Sequence, residues 1–253
     1  MVIKPLFIFR STIFRLFCTT RETKSTTAGI IVIGDEILKG QVVDTNSSYL
    51  ALELHKLGLQ LKKISVIGDN VHEVCDEVRF HSNSYDYVLT TGGIGPTHDD
   101  VTYEGVALAF NEPLVLDPEL RDICMNFYKT SDVNSPGMKL AKIPKTSKLT
   151  FKTLEGVRMV YPNVSIKNVY MFPGIPELLR KSFGCLKTVL FKSNKKFYSK
   201  AVYLTATEES IAKLLGKLAE DFPDVQFGSY PKLQDTFRPS MYSTDFSFHG
   251  VYF

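Results

Sequence analysis

The apolar positions of the chain alternate between short β-branched runs and stretches with helical spacing. Residues 27–35 (TAGIIVIGD) are almost continuously apolar, which is typical of a strand covered on both faces. Leucines then recur at helical spacing from Leu50 to Leu57, and Gly58 follows as a favoured residue to end a helix. The same alternation continues along the chain and predicts an α/β domain with a largely parallel sheet.

Further elements follow from the same pattern. The second strand is predicted over residues 59–69, and Asn70 with Glu73 forms a capping-box-like start for the next helix. The third strand is predicted over residues 85–91. Further helices are predicted from about Thr102 to Phe110 and from Asp117, Pro176 and Thr207, the last helix following a strand over residues 200–207.

Three segments have weaker patterns. Residues 131–150 are polar and contain two prolines, which predicts a long loop with at most one short strand around residues 138–143. Residues 164–172 predict a single strand before the Pro173-Gly174 turn. From Gln234 to Phe253 the aromatic residues show no clear period, so we expect no core element there.

The composition is that of an ordinary globular protein. The chain has 253 residues, 44% of them hydrophobic and 23% charged, which excludes disorder, collagen-like repeats and a disulfide scaffold. The net charge of +3 is concentrated in residues 1–27, which carry five basic residues and one acidic residue. The remaining residues have a net charge of about −1, which does not favour a nucleic-acid partner.

The amino-terminal segment has the composition of a mitochondrial targeting peptide. Arg10 and Arg15 interrupt its apolar residues, so it lacks the continuous apolar core of a secretory signal. We therefore expect a mitochondrial location, with a cytoplasmic protein as the alternative. No later run is long enough to span a membrane, so we expect no membrane partner. The four cysteines are far apart and form no zinc or redox motif.

Acidic residues follow each of the first three predicted strands. Asp35 follows the first, Asp69 the second, and Asp99 and Asp100 come shortly after the third. Ligands of open α/β sheets bind beyond the carboxyl ends of the strands, so these acids are expected to meet at one edge. Each acid taken alone fits a helix cap or a solvated loop residue, but their convergence favours a binding site.

A glycine-rich turn, Gly92-Gly93-Ile94-Gly95, joins the third strand to the next helix, and we call it the glycine loop. Exposed backbone N–H groups and a helix amino terminus together suit a phosphate group. The patterns GxGxxG and GxxxxGK[ST] are absent, which disfavours ordinary dinucleotide folds and P-loops. Carboxylates beside a phosphate require a cation between them, so the loop predicts a metal-dependent phosphate or pyrophosphate site with a metal such as Mg²⁺.

Three stretches carry a family resemblance: TAGIIVIGDEILKGQVVDTNS, TTGGIGPTHDDVTYEGVALAF and NVYMFPGIPELL. They resemble the molybdopterin-binding domain of the MoaB/Mog and CinA proteins, and most closely the copy at the amino terminus of animal FAD synthases. The resemblance covers about residues 27–231. It implies a three-layer α/β/α fold, a homo-oligomer (trimer or dimer), and a flavin or pterin nucleotide as ligand.

The residues and the resemblance together assign roles at this site. The catalytic residues are expected to be Asp69 and Asp100. The divalent metal, Mg²⁺ or Co²⁺, is expected on Asp69, Asp99 and Asp100. The phosphate is expected on Gly92, Gly93, Gly95 and Thr97, and the nucleotide on Asp35, Glu36, Asp44 and Asn46.

Three functions remain open at this point. The leading hypothesis is metal-dependent hydrolysis of the pyrophosphate of FAD or a related dinucleotide. The alternatives are a non-catalytic binding or regulatory module and a molybdopterin adenylyltransferase. FAD synthesis is not expected, since the synthase domain of the family is absent from these residues. The expected divisions are a leader (1–26), the molybdopterin-binding-like domain (27–190), a partial α+β subdomain (191–233) and a divergent tail (234–253).

Overall fold

The computed structural model describes residues 25–233 and 242–252. Most of the predicted leader, and with it the predicted mitochondrial location, lies outside the described residues. The helices are α1 (Asp35–Leu38), α2 (Asn46–Lys56), α3 (Val71–Ser84), α4 (Thr102–Ala109), α5 (Pro118–Tyr128), α6 (Pro176–Leu190), α7 (Glu208–Asp221) and a 3-10 helix (Pro136–Ala141). The strands are β1 (Thr27–Ile33), β2 (Gln60–Ile67), β3 (Tyr87–Thr91), β4 (Leu114–Leu116), β5 (Lys142–Pro144), β6 (Lys148–Lys152), β7 (Arg158–Ile166), β8 (Val169–Phe172), β9 (Lys196–Thr205), β10 (Val225–Leu233) and β11 (Tyr242–Tyr252).

The central sheet has six strands in the order β2-β1-β3-β8-β7-β6. Strands β2, β1, β3 and β8 are parallel to one another. Next to β8, strand β7 pairs with it in antiparallel orientation, and β6 pairs with β7 in the same way. The predicted α/β class with a largely parallel sheet is therefore confirmed. Because the parallel strands end at the same edge, the loops after β1, β2, β3 and β8 are neighbours.

Two apolar cores cover the two faces of this sheet. Along β1, Ile31 and Ile33 belong to the core that includes α3, α4 and α5, whereas Ile30 and Val32 belong to the core that includes α2 and α6. Successive side chains of a strand point to opposite faces, so a strand covered on both sides is apolar throughout. The layers are helix, sheet and helix, as the family resemblance implies.

The helix starts follow the predicted capping chemistry. The Asn70 side chain accepts hydrogen bonds from the N–H groups of His72 and Glu73, and so begins α3. The Asp117 side chain does the same for the first turn of α5, where Pro118 occupies the first helical position. These side chains satisfy N–H groups that have no partner within the helix.

Two predictions about the middle of the chain are corrected. The single strand expected over residues 164–172 is a hairpin of β7 and β8, which turns at Lys167 in the left-handed region (φ 51°). The segment 131–150, expected to be a loop with at most one short strand around residues 138–143, contains the 3-10 helix, β5 and the start of β6. The hairpin was missed because the polar break between its strands, Lys167-Asn168, is only two residues long; that pair is the signal that could have revealed the turn.

The carboxyl-terminal unit is built from β9, α7, β10 and β11. The three strands form an antiparallel sheet in the order β10-β11-β9. The expectation of no core element after Gln234 is wrong for residues 242–252, because β11 is the central strand of this sheet. Its sequence, YSTDFSFHGVY, alternates aromatic or small residues with polar ones in part, which is the signal that could have identified a strand.

The longest described helix, α6, has 15 residues. Within residues 25–233 and 242–252, no helix is long and apolar enough to cross a membrane.

We predict that Phe172→Ala lowers the free energy of unfolding by about 3–5 kcal/mol, since it removes a large buried ring. Phe172 is fully buried, and its ring centroid lies 5.6 Å from that of Phe183. Urea unfolding followed by circular dichroism measures the change. Phe127→Ala is the matched control because Phe127 is 73% exposed, and it should change the value by less than about 1 kcal/mol. Equal losses in the two variants would contradict this account of the core.

Candidate functional site

The glycine loop turns sharply away from the end of β3. Gly92 (φ 104°) and Gly93 (φ 60°) both adopt backbone conformations that other residues rarely take. A Cβ atom at Gly92 would lie 2.0 Å from the carbonyl oxygen of Ile33, and one at Gly93 would lie 2.4 Å from Oγ1 of Thr102. The turn therefore requires glycine for both its conformation and its close approach to β1.

Thr102 fixes the loop to the start of α4. Its hydroxyl donates to the Gly92 carbonyl at 2.8 Å, and its N–H donates to the Gly93 carbonyl at 3.1 Å. Thr102 is fully buried. Thr102 is not among the predicted site residues, although its position at the start of a predicted helix was a signal. The amino terminus of α4, the positive end of the helix dipole, thus adjoins the glycine loop.

The structure distinguishes between the predicted phosphate donors. The Gly92 N–H donates to the Phe172 carbonyl at 3.3 Å, and both the N–H and the hydroxyl of Thr97 donate to Oδ2 of Asp100. Within the described part of the chain, the N–H groups of Gly93, Ile94 and Gly95 have no recorded acceptor. These three groups are the backbone donors that the loop can offer to a phosphate, while Gly92 and Thr97 shape the turn.

Asn46 joins two loops of the site from a buried position. Its side-chain amide donates to Oγ1 of Thr91 at 3.0 Å and to the Gly174 carbonyl at 2.7 Å. The residue is only 7% exposed. These two bonds clamp the end of β3 to the turn after β8. The other side-chain amide atom of Asn46, Oδ1, has no hydrogen-bond partner among the described residues.

Asp44 caps helix α2. Its Oδ1 accepts hydrogen bonds from the N–H groups of Asn46 and Ser47 at 2.9 and 3.0 Å. This contact holds the first turn of α2, which includes Asn46, in position. The capping bond uses one carboxylate oxygen, Oδ1.

Asp35 and Asp69 are brought together at the carboxyl edge of the sheet. The N–H of Asp35 donates to Oδ2 of Asp69 at 2.9 Å, and the N–H of Asp69 donates to Oδ1 of Asp35 at 3.3 Å. These reciprocal bonds join residues that are 34 positions apart. The convergence predicted from the strand ends is therefore present for this pair.

Their carboxyl groups have opposite electrostatic surroundings. Burial raises the pKa of Asp69 above its usual range, and the negative charges of Glu36, Asp35 and Asp99 raise it further, although the N–H of Asp35 opposes this. The pKa of Asp35 is lowered, chiefly by a hydrogen bond from Lys39, whose Nζ lies 2.8 Å from Oδ2. Of these two residues, Asp69 is therefore the one whose ionised carboxylate is disfavoured, whereas the ionised form of Asp35 is favoured.

The predicted metal ligands fit a divalent cation in chemistry but do not converge on one point. No group of three His, Cys, Asp or Glu side chains within the described ranges is arranged to hold a metal ion. Asp100 directs Oδ2 to Thr97, while Asp69 pairs with Asp35. The oxygen donors and their mutual repulsion nevertheless suit a hard cation, whose charge would favour ionisation of Asp69.

A cavity elsewhere on the molecule contains none of the predicted site residues. It has a volume of about 390 Å³ and is lined by Ser25, Thr26, Asp86, Tyr87 and Lys192. These residues lie near the amino-terminal ends of β1 and β3, whereas the glycine loop lies at the opposite edge of the sheet.

Comparisons with known proteins agree with this architecture. Residues 29–191 match the family described as "Probable molybdopterin binding domain", and residues 196–250 match "FAD synthase, middle domain". The second match includes most of β11, so the carboxyl-terminal unit does resemble a FAD synthase domain, contrary to the expectation of a divergent tail.

Two relatives and one solved structure illustrate the similarity. A Caenorhabditis elegans protein described as "Probable FAD synthase" is 40% identical over 243 residues, which cover 88% of this chain and 47% of that protein. An Archaeoglobus fulgidus protein is 35% identical over 204 residues, covering 80% of this chain and 85% of that protein. The crystal structure of the protein CinA from Thermoplasma acidophilum has a TM-score of 0.59 and 26% identity, and covers 66% of this chain and 99% of that one. The chain spans about half the length of the Caenorhabditis FAD synthase relatives.

We predict that Gly92→Ala destabilises the protein more than Gly156→Ala. Both glycines have positive φ angles, but a Cβ atom at Gly156 would meet nothing within 4 Å. The strained backbone alone should cost Gly156→Ala about 1–2 kcal/mol. The clash with the Ile33 carbonyl should add about 1–3 kcal/mol at Gly92. Urea unfolding measures both values, and equal losses would show that the close approach to β1 is unimportant.

We predict that Asp69→Asn raises the melting temperature at pH 7. The raised pKa means that the folded protein binds the Asp69 proton more tightly than the unfolded chain does, so stability falls as pH rises above the usual aspartate pKa of about 3.9. Asparagine does not ionise, so it avoids this loss of stability, and its side-chain oxygen can still accept the hydrogen bond from the Asp35 N–H. The gain should therefore disappear below about pH 4. Thermal scans across pH test this, with Asp76→Asn, at an exposed position of α3, as the control that should show no such gain.

Proposed function

The chain belongs to the family of probable molybdopterin-binding domains, and from this premise we propose that it hydrolyses the pyrophosphate of FAD or a related dinucleotide. The observation that carries the proposal is the position of three N–H groups, on Gly93, Ile94 and Gly95, that have no acceptor among residues 25–233 and 242–252. They lie in the loop that leads to the carboxylates of Asp99 and Asp100. Such N–H groups bind phosphate oxygens, and the amino terminus of α4 adds its positive end. A pyrophosphate fits this arrangement better than an uncharged ligand does.

The carboxylates are the part of the site suited to chemistry. A group that receives a proton from an attacking water works best when its pKa is closer to neutral than that of an ordinary aspartate. Burial and neighbouring acids raise the pKa of Asp69, and a bound cation would favour its ionised form, which is the form that can receive a proton. In the proposed reaction, water attacks one phosphorus of FAD, Asp69 receives its proton, and the bond to the bridging oxygen breaks to give FMN and AMP.

A divalent cation such as Mg²⁺ or Co²⁺, when bound, would supply positive charge between the phosphates and the acids. The oxygens available to hold it belong to Asp69, Asp99 and Asp100, and Thr97 engages only Oδ2 of Asp100. Asp35 and Asn46 position the site instead: Asp35 holds the backbone of Asp69, and Asn46 clamps the adjoining loops. The relative described as a probable FAD synthase supports a flavin nucleotide as the ligand.

The second candidate is a non-catalytic module that binds a flavin or pterin nucleotide. The observation that favours it is that the described acids do not form a three-ligand metal cluster. Such a module would use the same glycine loop and the same α4 terminus. A molybdopterin adenylyltransferase also fits the fold and would transfer AMP from ATP rather than release it from FAD.

The deciding experiment incubates the full chain with FAD and either Mg²⁺ or Co²⁺, and separates FMN and AMP by chromatography. We expect metal-dependent formation of both products in equal amounts, and a loss of about 100-fold or more in Asp69→Asn. Asp76→Asn is the matched control and should keep full activity. FAD binding without turnover would support the binding module, and product formation unaffected by Asp69→Asn would refute the assigned role of that residue.

A further inference from the structure

Lys139 reaches the glycine-loop region from a distant part of the chain. It lies in the 3-10 helix, within the segment for which the sequence predicted a long loop with at most one short strand. Its Nζ donates to the Thr97 carbonyl at 2.8 Å and lies 3.5 Å from Oε1 of Glu104. The ammonium group of Lys139 therefore contacts the backbone of Thr97, two residues beyond Gly95, although Lys139 and Thr97 are 42 positions apart in sequence.

The packing around Lys139 holds its backbone in place. Its neighbours Met138 and Ala141 are 1% and 0% exposed and belong to the core beneath α4 and α5. Gly137 is also buried, and a Cβ atom there would lie 2.3 Å from the Tyr128 ring. The side chain of Lys139 is itself 24% exposed, so it remains accessible from solvent. The fold thus anchors the backbone and leaves the ammonium group partly open.

The two lysines near this edge have different partners. Lys39 lies 2.8 Å from the Asp35 carboxylate, and the hydrogen bond between them raises the pKa of Lys39. Lys139 instead donates to a neutral carbonyl, and its ion pair with Glu104 is longer. An ammonium group has three protons, so Lys139 can contact a further acceptor while keeping its bond to Thr97.

We propose that Lys139 binds the phosphate of the ligand and so makes the site specific for phosphate-bearing compounds. This rests on the proposed function insofar as the glycine loop is the phosphate site. The N–H groups of Gly93 to Gly95 supply dipoles, and Lys139 supplies the full positive charge that an anion needs beside so many carboxylates. The competing explanation is that Lys139 only ties the loop down through the Thr97 carbonyl.

The test compares FAD with riboflavin, which has the same ring system but no phosphate. Stopped-flow flavin fluorescence measures the dissociation constants before turnover, using the full chain. Lys139→Gln removes the charge but retains a side-chain N–H donor, Lys139→Arg retains the charge, and Lys142→Gln removes an exposed charge three residues away. Thermal scans verify that each variant is folded.

We expect Lys139→Gln to weaken FAD binding about tenfold, in the range of a charge-assisted hydrogen bond, and to leave riboflavin binding unchanged. Its FAD affinity should also depend less on salt than that of the unaltered protein. Lys139→Arg should restore most of the affinity, and Lys142→Gln should resemble the unaltered protein.

Several results would overturn the proposal: unchanged FAD affinity in Lys139→Gln, an equal loss of FAD and riboflavin binding, or FAD binding no tighter than riboflavin binding in the unaltered protein. The hydrolase proposal fails separately. FAD that is bound with Lys139-dependent affinity but not cleaved would refute hydrolysis and support the role of Lys139. Cleavage of FAD, together with an unaltered FAD dissociation constant in Lys139→Gln, would support hydrolysis and refute the role of Lys139.

Discussion

Strand β3 can turn away from the sheet only because residue 92 has no side chain. A Cβ atom there would lie 2.0 Å from the Ile33 carbonyl, and Gly174 packs so closely that its own Cβ would lie 3.1 Å from the Gly92 Cα. This contact brings the ends of β1, β3 and β8 together in a space that admits only backbone. The bonds of Thr102 and the clamp of Asn46 then hold the turn, and the N–H groups of Gly93 to Gly95 are left facing no acceptor in the described chain.

The same edge concentrates negative charge. Asp69 combines partial burial with three nearby carboxylates, so its ionised form is disfavoured, whereas Asp35 is stabilised by Lys39. A site with pKa values pushed apart in this way is more typical of function than of stability. The positive groups that an anionic ligand would need come from the loop backbone, the α4 terminus and Lys139. The overall charge of the protein contributes little to them.

Local chemistry accounts for the features that were predicted well. The apolar run of β1, the Asn70 and Asp117 caps and the glycine loop each depend on residues close together in sequence. The β7–β8 hairpin was not predicted, because the polar pair Lys167-Asn168 that separates its strands is only two residues long. Strand β11 was missed because the regularity of its sequence is weak, and its place is set by pairing with both β9 and β10.

The sequence by itself determined the α/β class, the helix starts and the convergence of acids at one edge, since parallel strands must end together. Only the tertiary structure decided which donors of the glycine loop are available. Gly92 gives its N–H to Phe172, Thr97 gives both of its donors to Asp100, and a lysine 42 residues away joins the loop. Each hydrogen-bonding group can serve few partners, and contacts between distant segments decide which partners it has, so a local pattern cannot reveal what remains for a ligand.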